Sequence, residues 1–536
     1  MNKKLSTSIC LLFLGLGWLY PSDAATSVDP KVMHVINRLS FGARPGDVET
    51  VEKLGVEGYI QQQLHPESIP EPQAVTTQLS QLETLNLTPL QLFEQISLPK
   101  LPKGQAQTPE QKRAFRKKMA HVREQAEQAR LLEATQSPRQ LQEVMVDFWY
   151  NHFNVFSRKG IDEMLVGAYE QEAIRPYALG RFRDLLEATA HHPAMLYYLD
   201  NWQNTAPNTS GKGKRTQGLN ENYARELMEL HTLGVDGGYT QQDVITLAKI
   251  LTGWTFRRAP QPGVDQNGFY FDAKRHDFSD KVFLGHTIKG SGIAEGEQAL
   301  DILAKSPATA HHISYQLAQY FVADQPPKKL VDRLSQKFLA TDGNIREVLS
   351  TLFHSPEFQD SHTYNAKFKT PYQYAVSSVR ATGIEVRNFR PILGLLQQLG
   401  MPLYGCLTPD GYKNTEDVWL NPDAITRRIS FATTLASGRL PLTVAPVTPP
   451  TVSQVPTSET RIGRLIPGLS FGGVQPTPPM QPAINSPTPP VTPVDPDQLS
   501  NTLGNLFPGQ TQQVIATSPP KLRAALMLGS PEFTRR

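Results

Sequence analysis

The stretch LNENYARELMELHTLGVDGGYTQQDV, residues 219–244, gathers Glu221, Arg225, Glu226, Glu229 and His231. A carboxylate beside a histidine is the raw material of acid–base catalysis. At roughly 100° per residue, Glu221, Arg225 and Glu229 share one helix face, the usual pattern of solvent-facing ion pairs worth about 0.3–0.5 kcal/mol each. Glu226 falls at the border of the apolar stripe of Tyr223, Leu227 and Leu230, and His231 lies within that stripe. A second histidine behaves alike. In MVDFWYNHF, His152 continues the stripe of Leu141, Met145 and Phe148, with Asp147 and Asn151 on one flank. A buried histidine needs partners, because an unpaired buried polar group costs about 1–3 kcal/mol. Glu226 or Asn222 could supply one if the two helices pack face to face. Glu226, Glu229 and His152 are therefore the candidate acid–base residues. His152, Glu226 and His231 form a conceivable three-ligand metal set, which would leave one coordination position open. The plainer alternative, surface ion pairs with a core histidine, stays open.

Other motifs carry less. No HExxH occurs, nor the Glu-x-x-His pair of di-iron bundles, and no GxSxG, P-loop or dinucleotide fingerprint stands in a usable context. His191–His192 and His311–His312 are adjacent pairs, and neighbours on a helix point about 100° apart. VDGGYT lacks the repeated acidic positions of a calcium loop and reads as a tight turn.

The elements that must position these residues are mainly α. A helix is expected after Pro138, with Leu141, Val144, Met145, Phe148 and Trp149 on one face. Asn220 is the expected N-cap of the opening stretch and Gly234 its stop; Thr240 with Asp243 should cap the next helix. Ile313, Leu317, Tyr320 and Phe321 mark another helix, ended by Pro326 and Pro327. Segment 252–290, richer in aromatics, Gly and Thr, suits a small β hairpin. Residues 441–496 hold 15 of the chain's 44 prolines, which bars continuous helix or sheet and suggests a disordered insertion. The expected division is a signal peptide over 1–24, a multi-helix globular domain over 25–440, the Pro-rich insertion over 441–496, and a helical segment over 497–536 returning to the body.

The N-terminus has the pattern of an export signal. Lys3 and Lys4 precede an apolar run from Ile9 to Tyr20, with Ser22 and Ala24 at small-residue cleavage positions. That run is shorter than the roughly 20 residues of a membrane-spanning helix. Cys10 would leave with the signal, and Cys406 alone can make neither an internal disulfide nor a cysteine zinc site. The formal net charge is +3, and the most basic run, KRAFRKK at 112–118, suits a solvated helix face rather than a nucleic-acid surface. A periplasmic or secreted protein without a transmembrane segment in its mature chain is expected.

NENYARELMELHTLGVDGGYTQQDV closely resembles the signature of a bacterial family catalogued as domain of unknown function 1800. The resemblance extends through HVINRLSFGARPGD, FWYNHFNV, IRPYALGRFRDLLEAT, PAMLYYLDN, RHDFSDKVFLG, RATG and PDGYKN to Trp419, Arg427 and the closing SPEF. It covers most of 32–435 in order, and the Pro-rich insertion departs from it. The resemblance implies an exported protein, with no settled activity or cofactor to transfer. It also implies a partner, since family genes often neighbour those of another uncharacterised family that looks like sulfatases and alkaline phosphatases. Asn220, Asn222, Arg225, Glu226, Glu229 and His152 match the family pattern, and Asn151 stands beside them. The family accepts Phe where this chain has His231, which argues against an obligatory ligand there. The implied function is an exported helical protein acting with such a hydrolase on an envelope or extracellular substrate. The alternatives are an acid–base or metal-dependent hydrolase using Glu226, Glu229 and His152, and a structural envelope protein.

Overall fold

Helices begin where a short polar side chain can take up free amides ahead of an amphipathic run. Thr108, Thr240 and Thr370 each form a reciprocal capping box with the residue three positions on, and proline opens Pro109–Gln136 and Pro371–Thr382. The structure, a computed structural model, describes residues 28–97, 106–207, 218–444, 492–504 and 506–536. The expected signal peptide and positions 445–491 of the Pro-rich stretch lie outside the described residues.

The fold is mainly α. Segment 252–290 holds two small antiparallel sheets rather than the one hairpin expected. Strand β1 (Trp254–Phe256) pairs with β2 (Phe269–Phe271), and β3 (Lys281–Phe283) with β4 (His286–Ile288). Leu284 and Gly285, both at positive φ, make the two-residue turn of the second hairpin. No helix among the described residues is long and apolar enough to cross a membrane.

Gln140–His152 is the central helix. Its expected apolar face is buried, and Trp149 donates its indole N–H to the Ala178 carbonyl at 3.0 Å. Its other side is buried too, so Glu143 and Asp147 need cations. Arg130, from Pro109–Gln136, donates to Asp147 at 2.6 Å and to Glu170 at 2.8 Å; Arg175 donates to Glu143 at 2.6 Å and to Glu133 at 2.7 Å. The Arg130 guanidinium also lies over the rings of Tyr150, Tyr372 and Tyr404 at 5.1, 5.3 and 5.4 Å. On the outer end of Pro109–Gln136, the basic residues of 112–118 are exposed, as expected.

The opening stretch is corrected in length. Its helix is only Asn222–Glu229, with Glu221 at the N-cap, and it ends well short of the expected stop at Gly234. Asn220 sits one residue earlier and accepts the Asn222 N–H at 3.0 Å. Gly234, at φ +85, ends the turns that follow. Pro307–Phe321 packs against Lys328–Ala340, beyond Pro326 and Pro327. The chain's last helix, Pro520–Gly529, packs on Pro422–Ala436, and Phe368 bridges to Arg535.

Candidate functional site

Four helices and a loop line a cleft of about 350 Å³. Gln140–His152 contributes Asp147, Phe148, Asn151 and His152, while Pro307–Phe321 contributes His312, Gln316, Gln319 and Tyr320. Glu229 and Leu230 enter from the end of Asn222–Glu229, and Thr370 and Gln373 from the start of Pro371–Thr382. Loop 401–415 closes the cleft with Met401, Asp410, Tyr412, Lys413, Asn414 and Thr415.

Asn151 holds that loop. Its Nδ2 donates to the Tyr412 carbonyl at 2.8 Å, and the Tyr412 N–H donates back to its Oδ1 at 2.7 Å. The approach is so close that Gly411, at φ +68, has no room for a side chain: a β-carbon would lie 2.2 Å from the Asn151 carbonyl oxygen.

The sequence candidates divide. Asn151, His152 and Glu229 line the cleft; Asn220, Asn222, Arg225, Glu226 and His231 do not. Asn220 donates to the Asp200 carbonyl at 3.2 Å and Asn222 to the Leu199 carbonyl at 3.1 Å, so both fasten the helix start to the 199–204 turn. Arg225 pairs with Glu221 at 3.2 Å and bonds Gln241 at 3.0 Å, as a surface pair should. Glu229, the last helical residue of that row, also lines the cleft, with the Tyr239 hydroxyl 3.5 Å from its Oε2. His152 does not turn to Glu226 or Asn222; its Nε2–H donates to the His231 carbonyl at 3.1 Å. His231 is buried against Phe153, ring centroids 5.0 Å apart, and its Nε2 lacks a hydrogen-bond partner. Among the described residues, the ligand atoms of His152, Glu226 and His231 do not come together as a metal set.

Electrostatics sharpens the division. Burial, and then the neighbouring His312, lower the His152 imidazole to about 3, so the ring is neutral at physiological pH. Burial also lowers His312, whose Nε2–H donates to the Leu230 carbonyl at 3.2 Å. Burial works to raise Asp410, but the Lys413 ammonium at 2.8 Å and the Thr408 hydroxyl hold its carboxyl below the usual range. Asp147 is tied to Arg130. Burial, followed by the charge of Glu229, pushes the Glu226 carboxyl up.

Helical spacing marks Asp147 only as a flank residue and gives no sign of the amides of Gln316, Gln319, Gln373 and Asn414, which also line the cleft. The signal for part of the loop was present in PDGYKN, which contains Asp410, Tyr412, Lys413 and Asn414. A family model described as "Protein of unknown function (DUF1800)" matches residues 34–535. No curated protein and no solved structure matches the chain.

Proposed function

Starting from the chain's membership of the DUF1800 family, we propose that it is an exported binding protein that presents an envelope or extracellular substrate to a partner hydrolase. One observation carries this reading. The titratable groups lining the cleft are mostly tied or neutral: Asp147 to Arg130, Asp410 to Lys413, and His152 uncharged. What remains is a lining of amides, hydroxyls and aromatic rings, from Gln316, Gln319, Asn414, Thr370, Thr415, Tyr320 and Tyr412. Such a lining recognises hydroxyl-rich, uncharged chains, which fits a neutral glycan of the envelope. Export rests on the N-terminal pattern, and a sulfatase- or phosphatase-like partner on the family's gene neighbourhood.

The acid–base alternative keeps one observation of its own, the cleft carboxylate of Glu229 beside the up-shifted Glu226. Calorimetric titration of the full chain with neutral envelope oligosaccharides separates the two. Saturable binding, weakened at least tenfold by Gln316→Ala and Asn414→Ala, supports the binding protein. Chemical turnover of the oligosaccharide that Glu229→Gln abolishes would overturn it in favour of the hydrolase. N-terminal sequencing of fractionated cells tests export; an intact Met1 in the cytosol would refute it.

A further inference from the structure

A second polar cluster lies away from the cleft, between the helices Phe182–His191 and Ile293–Ala304. Glu187 and His191 are four residues apart on the first and so share a face; Glu297 reaches them from the second. One ligand-capable atom from each can be chosen so that all three lie within 4.8 Å of one another. The His191 Nε2 is shut off from solvent and lies 3.0 Å from Glu297 Oε1, its nearest polar partner. Its ring is held against Phe269 and Trp254, with centroids 4.1 and 4.6 Å away, so it has little freedom to turn aside.

Arg183 occupies the far side of the same carboxylates. It donates to Glu187 Oε2 at 2.6 Å, to Glu297 Oε2 at 2.9 Å and to Asp301 Oδ1 at 2.5 Å. The arginine therefore engages one oxygen of each glutamate and leaves Oε1 of both for another partner. Three carboxylates against one guanidinium also leave two negative charges, which a dication would neutralise. The negative end of the Phe182–His191 helix, where His191 sits, adds to the attraction.

Glu187 and His191 border a cavity of about 320 Å³ that Glu172 and His192 also line. His192 is 2 % exposed, and its Nδ1 accepts the Ala194 N–H at 3.1 Å, so its proton must sit on Nε2. That Nε2 has no hydrogen-bond partner; Glu172 Oε2, also without one, is 3.7 Å away. A buried donor and an acceptor thus stand unpaired at the cavity wall. His192 cannot itself be a ligand through Nε2, but it can donate to one.

We propose that Glu187, His191 and Glu297 bind a divalent transition-metal ion, with Arg183 orienting the carboxylates from behind. One imidazole nitrogen and two carboxylate oxygens suit zinc or manganese. Three protein ligands leave coordination open toward the cavity, where His192 and Glu172 can bond a water or a substrate oxygen. Second-sphere partners such as Arg183 serve here as they do in other metal sites, fixing the ligand carboxylates in place.

The test uses the full chain, stripped of metal and titrated with Zn²⁺ and with Mn²⁺, read by elemental analysis after desalting and by thermal melting. The expected result is one ion per chain and a raised melting temperature for one of the two metals. His191→Ala and the conservative Glu187→Gln should each weaken uptake at least tenfold, while Glu226→Gln retains it. If the wild type takes up neither metal at micromolar concentration, the cluster is an ion-pair network only. Wild-type affinity in Glu187→Gln would place any ion elsewhere and equally overturn the assignment.

Discussion

At the residue scale, burial decides what each titratable group can do. The His152 imidazole falls from 6.5 to about 3 because the folded protein offers its charged form no solvent. Between those two values the unfolded chain takes up a proton that the folded chain refuses, so stability falls as pH drops below about 6.5. This residue accounts for up to about 1.4 kcal/mol per pH unit of that loss. His152→Gln should therefore show a flatter stability profile than wild type in urea melts from pH 7 to pH 4. Parallel profiles would mean that His152 is charged in the folded state. Glu226 has the opposite sign. Its carboxyl is raised from 4.5, so the folded state penalises the ionised form above the folded value, and stability rises as pH falls toward 4.5. Glu226→Gln should raise the melting temperature at pH 7 by an amount worth less than about 1 kcal/mol, since solvent screens a half-buried group. The gain should vanish below pH 4. A loss at pH 7 would instead reveal a bond that the carboxylate accepts.

At the element scale, the cleft depends on how loop 401–415 meets the end of Gln140–His152. Two hydrogen bonds from Asn151 and the bare α-carbon of Gly411 allow that contact. Gly411→Ala adds a β-carbon where no atom fits and holds a strained φ as well. It should cost more than about 2 kcal/mol and expose the loop to limited proteolysis between 402 and 415. Proteolysis unchanged from wild type would show that the loop is held by other contacts. The His152 and Asn151 positions were legible because helical periodicity places them one turn from Phe148. The partner of Asn151, 261 residues away in sequence, leaves no periodic trace. Glu229, the last residue of the helix that carries Glu221 and Arg225 at its start, also lines the cleft, and that second role depends on which helices pack beside it.

At the scale of the whole molecule, the two ends of the Pro-rich stretch meet on the body. The Val494 N–H donates to the Ala436 carbonyl at 2.9 Å, and the Leu442 carbonyl accepts the N–H groups of Arg387 and Asn388 at 2.8 and 2.9 Å. Leu442 is buried. The described flanks at 441–444 and 492–496 thus belong with the helical body, which narrows the replaceable stretch from the 441–496 read in the sequence. Replacing 445–491 by a short flexible linker should leave the melting temperature within about 2 °C, because the ends already lie together and few backbone bonds are lost. A larger drop would show that residues inside the stretch, such as the apolar RLIPGLSFGGV, pack on the body.

The sequence alone determined the helical class, the helix starts at Thr240 and after Pro138, and membership of a family whose match spans 34–535. These are local or cumulative signals, since a cap acts over three residues and a stripe repeats every turn. It also brought Asn151, His152 and Glu229, which line the cleft, to attention. Only the tertiary structure decided that His152 faces the His231 carbonyl rather than Glu226, and that Arg130 accounts for Asp147. It alone brought Glu297 to Glu187 and His191 across more than a hundred residues. Those pairings depend on which helices pack together, and burial then sets the charge of the groups they enclose. Neither property is carried by the spacing of residues along one helix.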